Sequence, residues 1–166
     1  MLSLLDRLLP PRPLPSGLHA YEQRDGAGGR VRLHLRIEPD GRGLLVINAT
    51  RILHLNQTGA EFARLILDGV SEKEALRTIC RRYKVDEATA QADYRCLRMQ
   101  IETLATDESV CPIHGLDLER IDPFSAPVTA PYRMDLALTY RCNDACAHCY
   151  VARPANYPEM DTASWK

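Results

Sequence analysis

The stretch VRLHLRIEPDGRGLLVINATRILHL, residues 31–55, decides how the chain is read. Val31, Leu33, Leu35 and Ile37 fall on one face and Arg32, His34, Arg36 and Glu38 on the other, the period of a half-buried strand. Pro39-Asp40-Gly41 ends that run as a turn. A second strand, Leu44 to Ile47, turns at Asn48-Ala49-Thr50 into a third, Arg51 to Leu55, so the three form a small antiparallel meander. A sheet with one apolar face needs a cover.

Three helices are expected to supply it. In the first, Phe62, Leu65 and Ile66 share a face and Gly69 is placed to end the helix. The second opens with a capping box, Ser71 and Glu74, and carries Leu76, Ile79, Cys80 and Tyr83 at helical spacing, with Cys80 as a small core hydrophobe. The third starts after Asp86, a good N-cap, and runs Ala90, Tyr94, Leu97, Ile101 and Leu104 along one stripe. The expected fold class is α+β, a three-stranded antiparallel sheet with three helices and a winged-helix-like helix pair inside it.

Composition fits this picture and excludes several functions. The 166 residues are 45% hydrophobic and 26% charged, with a net charge of -1, an ordinary globular balance without the basic excess that a phosphate backbone demands. The helix that would enter a DNA groove carries Asp86, Glu87, Asp93 and Glu102 against Arg95 and Arg98, so no nucleic-acid partner is expected. The leucine-rich start, MLSLLDRLLPPRP, is broken by Asp6 and Arg7 and stopped by prolines, which argues against a signal peptide and for a short helix and linker through Pro15. No stretch is long and apolar enough for a bilayer, so no membrane partner is expected. Six cysteines without an export signal are read in a reducing cytoplasm, where metal binding or catalysis is favoured over disulfides.

Residues 44–104 resemble a PqqD-like precursor-recognition domain, most clearly in ILHLNQTGAEFARLILDG (52–69) and RRYKVDEATAQADYRCL (81–97), through Leu55-Asn56, Thr58-Gly59, Phe62, Gly69, Tyr83, Val85 and Asp86. The resemblance implies that the domain, a RiPP recognition element, binds the leader of a ribosomally synthesised precursor peptide as an added strand. The implied groove lies between Arg51, Ile52, Leu53, His54 and Leu55 on the sheet edge and Tyr94, Arg98 and Ile101 on the third helix. Physical chemistry supports that use: a strand edge offers backbone groups for pairing and a neighbouring helix offers side-chain pockets. The alternative at that edge is a cover provided by the chain's own N-terminal segment.

Between Asp107 and Pro131, scattered prolines among polar residues read as a linker. Cys111 and His114 within it have zinc-ligand spacing and could pair with Cys146 and Cys149, although Cys142 would then be left over. Beyond it, Arg133 to Thr139 alternates Met134, Leu136 and Leu138 against Asp135 and Ala137, a strand that delivers Cys142, Cys146 and Cys149 in C-x3-C-x2-C spacing. Loops at strand ends are where barrels place chemistry, and three thiolates in one tight loop suit an iron–sulfur cube with one iron left open.

The stretch CNDACAHCY (142–150) resembles the cluster motif of the radical S-adenosylmethionine (radical SAM) superfamily. The resemblance implies that Cys142, Cys146 and Cys149 ligate a 4Fe-4S cluster, that S-adenosyl-L-methionine chelates its open iron, and that His148 lies near the adenosyl group. Reductive cleavage by an electron donor such as a ferredoxin or flavodoxin would yield a 5'-deoxyadenosyl radical. Asp144 and Ala145 occupy places where larger or basic residues are common. The superfamily builds a partial (β/α)6 barrel, whereas seventeen residues follow Cys149, and EMDTASWK reads as the start of a first barrel helix capped by Asp161 or Thr162. The expected organisation is an N-terminal segment (1–30), a PqqD-like domain (31–106), a linker (107–131) and the first strand and cluster loop of an incomplete barrel (132–166). The expected function is that of the front portion of a radical SAM peptide maturase; the rival is a non-enzymatic peptide-binding adaptor with a zinc-bound or vestigial cysteine tail.

Overall fold

A computed structural model describes residues 13–24, 28–107, 109–122, 125, 127–132, 134–151 and 158–165. The leucine-rich helix expected at the N-terminus falls largely outside them. The chain divides into two units, 1–129 and 130–166.

The first unit contains a four-stranded antiparallel sheet, one strand more than the alternation announced: β1 (Gly17–Arg24), β2 (Arg30–Ile37), β3 (Gly43–Ile47) and β4 (Arg51–Leu55), in the order β1-β2-β3-β4. The three expected strands are β2 to β4, and β2 buries Val31, Leu33, Leu35 and Ile37 as its period requires. The added strand escapes a hydrophobic reading because GLHAYEQR has no apolar alternation, only His19 and Tyr21 being half-buried, opposite Leu35 and Leu33. A tertiary bond holds β1 instead: the Tyr21 hydroxyl donates to the Asp68 carboxylate at 2.7 Å. Burial, then that bond, pushes the Tyr21 phenol up to about 12.

The turns of the second and third hairpins follow from local chemistry. Gly41 sits at φ +84 between β2 and β3, and Asn48 and Ala49 are both left-handed (φ 49 and 59) between β3 and β4, closed by the Thr50 N–H to the Ile47 carbonyl at 3.2 Å. Asn48 is suited to that geometry and also accepts the Arg32 N–H at 2.9 Å through Oδ1.

Three helices cover the sheet: α1 (Gln57–Leu67), α2 (Glu72–Tyr83) and α3 (Glu87–Thr106). Asn56 caps α1 by accepting the Gly59 N–H at 2.7 Å, and its far end closes as a Schellman motif, with Gly69 left-handed, Val70 N–H on the Leu65 carbonyl and Gly69 N–H on that of Ile66. Ser71 and Glu74 form the expected capping pair of α2, and Asp86 caps α3 through Thr89. The α3 stripe Ala90, Tyr94, Leu97, Ile101 and Leu104 is buried, with Tyr94 edge-on to Phe62 at 5.6 Å between centroids. Cys80 packs half-buried against this core.

The linker is more structured than its prolines suggested. A short helix, α4 (Pro112–Leu116), buries Leu116 in the core, and its carbonyl accepts from the Gln100 amide at 3.3 Å. Further on, Thr129 donates its hydroxyl (2.5 Å) and N–H (3.3 Å) to Glu38, a buried carboxylate also bound to Arg36 at 2.8 Å. Burial pushes the Glu38 carboxyl up, but the Thr129 bonds and the Arg36 guanidinium outweigh it, so its pKa lies below the ordinary value.

In the second unit the alternation of residues 134–139 is present without a strand, and Met134, Leu136 and Leu138 are exposed. An extended segment becomes a strand only by pairing, and no pairing partner for it exists among the described residues. Asp161 does cap a turn over Thr162 to Trp165, its carboxylate accepting the Ser164 N–H at 2.7 Å. No described helix is long and apolar enough to cross a membrane.

Two substitutions test this packing. A Cβ on Gly43 would stand 2.8 Å from the Cβ of Ala60, so Gly43→Ala should lower stability by about 1–3 kcal/mol. Ala49→Gly should raise it by about 1 kcal/mol by relieving a left-handed alanine. Denaturant melts of both variants decide.

A pH titration tests the Glu38 tether. Because its folded pKa is depressed, its contribution is fully present above the unfolded carboxylate value and is lost as pH falls through the folded one. The Thr129 amide resonance should therefore shift below the ordinary carboxylate range, and Glu38→Gln should abolish that transition.

Candidate functional site

The strand edge chosen from the sequence is open in the structure. β4 pairs with β3 on one side, and no strand lies on its other side among the described residues, since the N-terminal strand joins β2 instead. Leu53 points into the core while Ile52 and His54 lie on the opposite, exposed face. Arg51 anchors the start of β4 to the end of α3, its guanidinium donating to the Leu104 carbonyl. At the other end, Asn56 shares a depression with Asp93 and Leu97 of α3. The start of β4 and the residue after its end thus each meet α3.

The helix residues expected to face β4 do not share its depression. Tyr94 and Ile101 are buried, and with Arg98 they line a different hollow with Gln23, Ile66 and Gly69, to which β4 contributes nothing. Arg98 is engaged there with Glu102 at 2.8 Å, one turn along. Tyr94, Arg98 and Ile101 thus gather about one hollow among whose lining residues β4 has no member. The stripe given by periodicity, Ala90, Tyr94, Leu97, Ile101 and Leu104, does not include Arg98, and it carries no information on which neighbour each of its edges meets.

Beside β4 lies a third hollow of ≈ 250 Å³, walled by Leu44, His54 and Leu55 on the sheet and by Ile121, Pro127 and Val128 of the returning linker. Arg42 and Glu38 also line it. Partial burial and then the Arg42 charge push the His54 imidazole below its usual pKa, which favours the neutral ring at neutral pH. Sequence reading missed this wall because its residues lie in a proline-broken stretch without periodicity.

The second unit holds the cysteine loop. Cys142, Cys146 and Cys149 are exposed, free thiols that line one open depression of ≈ 640 Å³ with Thr139, Tyr140 and Tyr150. The Cys149 N–H bonds the Cys146 carbonyl at 3.2 Å and the Asp144 N–H approaches the Cys142 sulfur at 3.4 Å. His148 is exposed. Among the described residues no three His, Cys, Asp or Glu side chains are gathered tightly enough to hold a metal ion, so the thiols share a surface without converging on a point. Cys111 and His114, the alternative zinc pair, belong to the first unit and Cys146 and Cys149 to the second. Cys111 is the N-cap of α4, where the N–H groups of His114 and Ile113 hold its thiol below the usual pKa. Glu159, which no motif singled out, accepts hydrogen bonds from the segment leading into Cys142.

No curated protein and no solved structure matches the chain. Residues 42–98, from the start of β3 to within α3, match the family described as Coenzyme PQQ synthesis protein D (PqqD), and this part of the chain is a PqqD-like domain.

Proposed function

We propose that the chain couples recognition of a ribosomal precursor peptide to radical SAM chemistry: the PqqD-like domain docks the leader, and the loop of Cys142, Cys146 and Cys149 holds a 4Fe-4S cluster. The observation that carries this reading is the presence in one chain of a PqqD-matching domain with an open β4 edge and a C-x3-C-x2-C loop.

In the first step an extended leader adds to β4, exchanging backbone N–H and C=O bonds with it. Alternate side chains then meet the hollow of Leu44, His54 and Leu55. The domain's part is affinity and register.

The donor set of the loop fits the cluster. Three thiols without disulfide partners stand on one depression, thiolate is the usual iron ligand, and three ligands leave one iron open. The thiols must close inward on loading, because they do not converge in this structure. Cys142, Cys146 and Cys149 would hold the cluster, which would supply an electron for reductive cleavage of S-adenosyl-L-methionine. A low-potential donor such as a ferredoxin or flavodoxin would refill it, and His148, beside Cys149, would border the adenosyl group.

Proline in β4 tests the docking half. Ile52→Pro and His54→Pro should each weaken binding of a fluorescent leader peptide by roughly tenfold, about 1.4 kcal/mol, because the N–H groups of these two residues face away from β3 and each proline removes one such donor. Unchanged affinity in both, with the fold intact by circular dichroism, would reject β4 as the docking edge.

Anaerobic reconstitution tests the other half. Alanine at Cys142, Cys146 or Cys149 should abolish the charge-transfer absorbance, whereas alanine at Cys80, Cys96 or Cys111 should leave it. Stoichiometric zinc in place of iron would reject the cluster and return the chain to the adaptor class.

A further inference from the structure

The cysteine loop has no regular secondary structure of its own. Residues 139 to 149 carry neither strand nor helix, and all are exposed. A loop of that kind would spread its thiols over many arrangements, and gathering them would cost conformational entropy. One side chain restrains its base. Oε1 of Glu159 accepts the Thr139 hydroxyl at 2.6 Å, the Tyr140 N–H at 2.9 Å and the Arg141 N–H at 3.2 Å, while Oε2 pairs with the Arg141 guanidinium at 3.0 Å. Arg141 is largely exposed, while the Glu159 side chain is 16% exposed beneath the groups it bonds. Bonds to a carboxylate are charge-assisted and stronger than neutral ones.

The topology gives those bonds their meaning. Thr139, Tyr140 and Arg141 immediately precede Cys142, and Glu159 follows Cys149 by ten residues, so the contact closes a loop that contains all three cysteines. Closing a loop removes configurations that would otherwise be lost on binding. The two backbone N–H bonds also fix the direction in which the chain enters the first thiol, a task that strand pairing would otherwise perform.

We propose that Glu159 is a positioning residue that staples the base of the cysteine loop and thereby favours uptake of an iron–sulfur cluster by Cys142, Cys146 and Cys149. The inference rests on the reading of that loop as a cluster site. The geometry separates two parts of the role. A glutamine keeps a carbonyl oxygen in place of Oε1 for the Thr139, Tyr140 and Arg141 donors but loses the ion pair with Arg141. An alanine loses both.

The test reconstitutes the 166-residue chain anaerobically as wild type, Glu159→Gln and Glu159→Ala. It measures iron retained against a chelator, visible cluster absorbance, and hydrogen exchange at the Tyr140 and Arg141 amides. The alanine variant should hold iron about tenfold more weakly, the usual scale for losing a group that orients metal ligands, and its two amides should exchange faster. The glutamine variant should restore both readouts to near wild type, while melting of the first unit stays the same in all three proteins. Wild-type retention and exchange in the alanine variant would overturn the role of Glu159 and leave the cluster reading standing. Equal loss in both variants would overturn the backbone staple, since glutamine keeps the acceptor. Failure of the wild type itself to take up iron would overturn the cluster reading, and this role with it.

Discussion

The close seating of α1 on β3 is the contact on which the rest of the first unit depends. Gly43 lets Ala60 approach to a distance that any side chain would occupy, and Ala60, Phe62 and Ala63 then seal Leu35, Leu45 and Ile47 from water. Tyr94 of α3 rests on Phe62, so the third helix inherits its position from the first. Arg51 in turn links the end of α3 to β4. The strand edge and the helix beside it are therefore tied to one packing event, whose Gly43 is also the pairing partner of Leu55 in β4.

Most of this was legible because burial imposes a period. The alternation in β2, the Ser71 and Glu74 pair, the Asp86 cap and the α3 stripe each state a local rule that the tertiary structure then obeys. The misses share a cause as well. β1 is held by pairing with β2 and by the Tyr21–Asp68 bond, neither of which leaves a periodic trace. The buried Glu38 is masked by its place on the polar face of an alternating strand, because its partner Thr129 lies ninety-one residues away. Conversely, residues 134–139 have the alternation of a strand and no partner for it among the described residues.

The two candidate sites differ in how they are prepared. The β4 edge is rigidly presented by a cooperative core, so docking there would cost chiefly the ordering of the incoming peptide. The cysteine loop has no such support, and its order comes from a few hydrogen bonds made by polar side chains. Sequence motifs singled out the three cysteines as candidate ligands but not the Glu159 contacts with the base of their loop, since a glutamate ten residues beyond the last cysteine belongs to no spacing rule.

The placement of β1 makes the two margins of the sheet chemically unlike. One margin is a strand that exposes Leu18 near its start and Glu22, Gln23 and Arg24 over its second half, the latter being the kind of polar border that discourages a second chain from pairing. The other is β4, whose exposed face carries Ile52 and His54 beside an apolar hollow. A sheet receptive at one margin and guarded at the other can accept a single extended segment but is poorly suited to propagate pairing from molecule to molecule. That asymmetry would allow the domain to keep a sticky edge without polymerising through it.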